Sequence, residues 1–134
     1  MIFDKIGRVA TETEQFNIEV KGLGIFPTAI YAKVTQGAKE ISHLHNSIAR
    51  ELEGVAIQGS FEGPDFIPHV TLGHFATRNS AIEDVSSYER RNFGVCSVNT
   101  IEVVAAHLYR AYGPPDGRED ALERIASFKL KRTN

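Results

Sequence analysis

Apolar and polar residues alternate in two early segments of the chain, with the two-residue period of half-buried β-strands. These segments are 16–20 and 29–34. Gly22, Gly24 and Pro27 lie between them and predict a turn. The two strands are therefore expected to form an antiparallel hairpin.

Three other segments are predicted to be helices, the first two because their apolar residues lie three and four positions apart. The first ends near Thr13. The second begins at Ala38 and stops at Gly54, a residue type that commonly follows a helix C-terminus. The third begins with Ser80 and Glu83, which form a capping-box pattern, and runs to about residue 91.

The remaining elements come from short runs of β-branched residues and from clusters of glycine and proline. They are a loop at 58–68, strands at 69–75, 93–98 and 101–110, a turn at 112–117, a helix at 119–126 and a strand edge at 128–130. Strands and helices are mixed without strict alternation. This order predicts an α+β fold with a mainly antiparallel sheet, helices packed on one side, and a single domain over 1–134.

Composition limits the classes of protein to which the chain can belong. Apolar residues make up 42% of the chain, and the formal net charge is −2, so no chain-wide basic field attracts nucleic acid. A polyanion would need a local site. The single cysteine, Cys96, excludes an intrachain disulfide and fits a reducing compartment. Without an apolar span or a signal peptide, we expect a cytoplasmic protein with no membrane partner.

The segment Pro68-His69-Val70-Thr71-Leu72 has the residue types that phosphate chemistry needs. On a strand, His69 and Thr71 share one face while Val70 and Leu72 point to the other. The imidazole can exchange a proton near neutral pH, and the hydroxyl can donate to a phosphoryl oxygen. Spacing alone also allows an ordinary strand that carries one exposed histidine and one threonine.

The elements around this segment add to the argument. In order, the chain has the hairpin FNIEVKGLGIFP and IYAKV, a helix, the strand PHVTLGHF, a helix, and the strand VVAAHLYR. This arrangement resembles the 2H phosphoesterase superfamily, in particular its 2′-5′ RNA ligase-like branch. The resemblance implies two His-x-[Ser/Thr] motifs that face each other across a cleft between two lobes. It also implies reactions of 2′,3′-cyclic or 2′-5′ phosphodiesters of RNA or nucleotides, without a metal or other cofactor.

The chain departs from this family pattern near its start. The first motif would precede Phe16, yet every histidine lies at position 43 or later. We therefore expect a partial, N-terminally truncated version of the two-lobed fold. His69 and Thr71 would be catalytic, with weak activity or activity that depends on a dimer or on a partner that supplies the missing lobe. The alternative is a non-catalytic module that binds nucleotide, RNA or protein.

Three residues near the end of a predicted strand are further candidates for substrate binding. His107 could approach the phosphate and carry a proton, although a hydrogen-bonded structural role is the alternative. Tyr109 and Arg110 could contact a base and a phosphate, or they could simply be side chains at the end of a strand.

The other histidines are predicted to lie outside the site. His74 is five residues after His69, so regular alternation places it on the opposite face. His43 and His45 are two apart on a helix and point in different directions, which is the wrong spacing for binding one metal ion together. Because the chain also has no cysteine cluster and no His-Glu-x-x-His motif, we expect no metal site.

Overall fold

The computed structural model describes residues 1–55, 66–75, 77–107 and 121–132. Within these ranges the helices and strands occur in the following order: α1 (Ile2–Glu12), β1 (Phe16–Ile25), β2 (Ala29–Val34), α2 (Ala38–Glu51), β3 (His69–His74), α3 (Arg78–Ser87), β4 (Asn92–Val98), β5 (Thr100–His107) and β6 (Ala121–Lys129). The predicted loop at 58–68, apart from its last three residues, and the predicted turn at 112–117 lie outside the described residues. No helix in the described ranges is long and apolar enough to cross a membrane.

The strands form two antiparallel sheets. Four of them are arranged in the order β3-β2-β1-β4, and β5 pairs with β6. The predicted hairpin is present, since β1 and β2 pair from Ile25 opposite Ile30 back to Val20 opposite Val34. This architecture confirms the predicted α+β class with antiparallel strands.

The first strand continues through the glycines that predicted a turn. Gly22 has a φ of 80°, a left-handed conformation that suits glycine, and the register shifts between Val20 and Leu23. Gly22 therefore lies in a β-bulge, where the chain takes up an extra residue without leaving the sheet. The reversal occurs later, where the Phe26 amide donates to the Ala29 carbonyl.

Helix α1 packs against the β5–β6 pair. Its buried residues Ile6, Val9 and Ala10 follow the predicted apolar stripe. Gly7 faces the ring of Phe128, which lies 3.5 Å from the position that a β-carbon would occupy. A β-carbon at position 7 would make ordinary van der Waals contact with this ring.

The prediction of a helix over 119–126 is wrong, because Ala121–Lys129 forms strand β6. Residues such as alanine, leucine and glutamate favour a helix intrinsically, but this preference is weak and tertiary pairing overrides it. Pairing with β5 places Ala126 opposite Val103 and Phe128 opposite Ile101. These residues are half-buried, and exposed residues alternate with them.

The other helices follow the predictions with small differences. Helix α2 begins at Ala38, and Gly54 beyond its end has a φ of 78°, the left-handed conformation expected after a helix. Helix α3 begins at Arg78, so Ser80 lies inside the helix and does not cap it. Thr77 occupies the capping position.

Candidate active site

The register between β2 and β3 defines the face on which His69 and Thr71 lie. His69 is opposite Lys33, and Thr71 is opposite Tyr31. Residues directly opposite in antiparallel strands point to the same side of the sheet. Because Lys33 and Tyr31 are two apart on β2, all four side chains share one face, which we call the His69 face.

A hydrogen bond determines which nitrogen of the His69 ring carries the proton when the ring is neutral. Its Nδ1 atom is hydrogen-bonded to the backbone carbonyl oxygen of Ile67. A carbonyl oxygen can only accept, so Nδ1 carries the proton and donates. In the neutral ring the Nε2 atom then has a free lone pair. Since His69 is exposed, this atom can take a proton from a bound substrate or water.

Aromatic side chains hold the His69 ring from several directions. Phe26 stacks on Tyr31 with ring centroids 4.1 Å apart, and both rings meet His69 edge-on, at 4.9 Å and 5.8 Å. Phe66, just before the motif, lies 6.3 Å from His69. Edge-to-face contacts at these distances are favourable. This packing limits the orientations that the imidazole can adopt.

Glycine at position 24 is what allows Tyr31 to lie flat on the sheet. Gly24 pairs with Tyr31, and a β-carbon at position 24 would overlap the tyrosine ring. Tyr31 is consequently only 7% exposed. The sequence indicated that residue 31 lies on a strand, but nothing local to it indicated which glycine it covers.

Lys33 is a candidate that sequence reasoning missed. Its side chain is exposed and lies on the same face as His69, its partner across the strands. An ammonium group there can attract a phosphate. The signal was present in the alternation of β2, but only the register identifies His69 as its neighbour.

The prediction that His74 lies on the opposite face of the strand from His69 is wrong. The register shifts between Ile30 and Tyr31, so that Leu72 is an extra residue and His74 is opposite Ala29. Ala29 lies on the same side of β2 as Tyr31, because the two are separated by one residue. The bulge therefore brings His74 onto the His69 face, where regular alternation would have placed it on the other.

The histidines of α2 occupy different surroundings, as their spacing predicts. His43 is exposed and lines an open cleft of about 510 Å³ at the end of α1. His45 stacks on Phe66 with centroids 3.9 Å apart and an interplanar angle of 5°. His45 thus supports the aromatic cluster beside His69 through Phe66.

The remaining candidates are placed only in part. The backbone of His107 lies in β5, opposite Ala121, in the two-stranded sheet and not in the sheet that carries His69. Its side chain, Tyr109 and Arg110 lie outside the described residues, so their predicted roles stay predictions. Across the part of the chain that is described, histidine, cysteine, aspartate and glutamate side chains do not gather in threes as metal ligands would.

Comparison with known proteins places the chain in a family. The model of the 2′-5′ RNA ligase superfamily matches residues 2–110. An RNA 2′,3′-cyclic phosphodiesterase of Aquifex aeolicus (strain VF5) is 26% identical over 116 residues. That match takes in 80% of this chain but 60% of the relative, so the chain spans about three fifths of the relative's length.

A solved structure shows the same fold. The crystal structure of TT0787 of Thermus thermophilus matches with a TM-score of 0.64 at 22% identity, over 99% of this chain and 70% of that one. The likeness is one of fold. Since the family match takes in most of the chain and agrees with the resemblance seen in its motifs, the chain belongs to the 2′-5′ RNA ligase superfamily of 2H phosphoesterases.

Proposed function

We propose that this chain acts as a phosphodiesterase on 2′,3′-cyclic phosphates of RNA or nucleotides, by proton transfer through His69. The observation that carries the proposal is the exposed His69 ring, whose Nδ1 atom donates to Ile67 while its Nε2 atom makes no hydrogen bond to the residues that the structure describes. Family membership and the name of the Aquifex aeolicus relative support this choice of substrate class.

Opening of a cyclic phosphate requires two proton movements. Water attacks phosphorus and loses a proton while the new P–O bond forms. The P–O bond to one ribose oxygen breaks, and that oxygen gains a proton. His69 accepts or supplies one of these protons. Formation of a 2′-5′ linkage is the same exchange with a ribose hydroxyl in place of water.

Thr71 has a separate role in the proposal. Its side chain lies on the His69 face, opposite Tyr31. The hydroxyl donates a hydrogen bond to a non-bridging phosphate oxygen and so holds phosphorus beside the imidazole. A hydrogen bond to a charged acceptor contributes about 1.5–3 kcal/mol.

The test measures turnover of a 2′,3′-cyclic nucleotide by the purified chain. His69→Ala should lower kcat by about 100-fold or more, because general acid–base catalysis contributes roughly 10²–10⁴-fold. His69→Gln, which keeps a polar side chain of similar size, should be equally impaired. Thr71→Val should lower kcat/KM by roughly 10-fold to 100-fold.

The matched control is His43→Ala, which removes another exposed histidine far along the chain from the motif. It should keep wild-type turnover. Turnover that survives in both His69 variants would refute the assignment. Nucleotide binding without turnover in the wild-type chain would instead favour the non-catalytic interpretation.

We also propose that two copies of the chain associate. The outer strand β4 exposes two large apolar side chains, Phe93 at 48% and Val95 at 65%. Exposed outer strands with apolar side chains favour association. Light scattering should give twice the mass of one chain. Val95→Lys should lower the measured mass toward that of the monomer. A monomeric wild-type chain at high concentration would contradict this.

A further inference from the structure

The bulge in β3 gives the candidate site a second imidazole from the same chain. Leu72 has no partner in the register, and the strand resumes pairing with Gly73 opposite Ile30 and His74 opposite Ala29. A bulge rotates the rest of its strand relative to the partner. His74 thereby shares the His69 face, although five residues separate the two histidines.

The positions of the partners on β2 show how the two rings flank Thr71. On β2, the residues opposite His69, Thr71 and His74 follow one another at intervals of two. They are Lys33, Tyr31 and Ala29, respectively. With about 3.3 Å per residue, each histidine is attached roughly 7 Å along the sheet from Thr71. A phosphate held by the Thr71 hydroxyl would therefore have one imidazole on each side.

The two rings are also held in the same manner. The Nδ1 atom of His74 lies 3.3 Å from the backbone carbonyl oxygen of Thr28. Nδ1 must be the donor, as it is in His69, so Nε2 is left for proton exchange. The same hydrogen bond persists when the ring is protonated, since Nδ1 keeps its proton. His74 is exposed and can reach a ligand.

Few charged groups on the described strands share this face with the two histidines. Lys33 lies on β2. Glu19 and Lys21 lie on β1, which is separated from β3 by β2, and they flank Val20, whose partner Val34 points to the other face. Strand β3 itself carries no carboxylate. Apart from His69, His74 is therefore the only side chain of β3 that can exchange a proton near neutral pH.

We infer that His74 is the second proton-transfer residue of the site, so that His69 and His74 of one chain form the acid–base pair. The inference rests on the proposed phosphodiesterase function. One imidazole takes the proton of the attacking water at Nε2. The other, protonated at Nε2, gives its proton to the ribose oxygen as the P–O bond breaks. Water later exchanges protons with the pair and restores it.

The test compares His74→Ala, His74→Gln and His74→Arg in turnover of a 2′,3′-cyclic nucleotide between about pH 5 and pH 9. All three should lose about 100-fold or more in kcat, because none can exchange a proton in this range. The wild-type profile should be bell-shaped, and each variant should lose one limb of it. Added imidazole should restore part of the turnover of His74→Ala and none of that of His74→Arg.

Several outcomes overturn the inference. Wild-type turnover in His74→Arg would mean that position 74 needs only a positive charge. An unchanged pH profile in His74→Ala would mean that the ring carries no proton in the reaction. Turnover restored by mixing His69→Ala chains with His74→Ala chains would place the two rings on different copies.

The experiment also separates this inference from the proposed function. If His69→Ala is inactive while the His74 variants keep wild-type kcat and profile, only the inference fails. If the His69 variants keep turnover, or the wild-type chain has none, both fail. Circular dichroism and urea unfolding of each variant show whether a loss of turnover reflects loss of the fold.

Discussion

Gly24 gives the most direct test of how the candidate site is packed. An added β-carbon would lie 2.7 Å from Cε1 of Tyr31 and closer still to two other atoms of that side chain. Real β-carbons do not approach heavy atoms so closely, so Gly24→Ala must displace the tyrosine ring. Displacement of the ring also breaks its stack on Phe26 and removes one side of the support for His69.

The magnitude follows from the packing of Tyr31. Forcing an extra methyl group into a packed site costs about 1–3 kcal/mol of unfolding free energy. Tyr31→Ala removes a nearly buried ring and should cost about 3–5 kcal/mol. Once the ring is gone, the methyl group at position 24 has nothing to overlap. The double variant should then be about as stable as Tyr31→Ala alone, with a coupling of about 1–3 kcal/mol between the two sites.

The assay is urea unfolding, monitored by circular dichroism. It is applied to the wild-type chain, the two single variants and the double variant, which form a double-mutant cycle. Gly73→Ala is the matched control, because a β-carbon at that strand position meets no atom within 4 Å. It should change stability by no more than about 0.5 kcal/mol. Additive costs in the cycle, or a Gly24→Ala chain as stable as wild type, would refute the proposed overlap.

Three further predictions concern other parts of the fold. Gly22→Ala should destabilise the chain by about 1–3 kcal/mol in urea unfolding, since its φ is 80° and its β-carbon would lie 2.5 Å from the Glu89 carbonyl oxygen; wild-type stability would contradict that geometry. Phe128→Ala should cost about 2–4 kcal/mol and increase amide exchange in α1, because the ring packs on this helix; unchanged exchange would argue against that packing. Arg124→Ala should cost at most about 1 kcal/mol, because its 3.2 Å ion pair with Glu102 is largely exposed; a larger loss would show that the side chain has another role.

The pair of residues at the centre of the candidate site could be identified from positions that are close in the sequence. His69 and Thr71 lie two apart on a short strand, and side-chain alternation puts them on one face whatever the strand pairs with. The PHVTLGHF strand and the hairpin before it were also enough to indicate the family. Helices α1 and α2 followed their apolar stripes, because the spacing within a helix is local.

The neighbours of His69 could not be anticipated in this way. Lys33 and Tyr31 join it only through the register of β2 with β3, which is a contact between segments more than thirty residues apart. Long-range pairing of this kind depends on the whole sheet and leaves no local pattern. The same is true of β6, where pairing with β5 outweighed the helix preference of its residues.

The sequence by itself therefore determined the order of most elements, the α+β class and the pair of His69 with Thr71. These depend on periodicity and on residue type, which act over a few positions. Only the tertiary structure decided that Gly22 continues a strand and that Tyr31 covers Gly24. It also placed His74 on the His69 face, because one unpaired residue, Leu72, reverses the alternation of every residue after it.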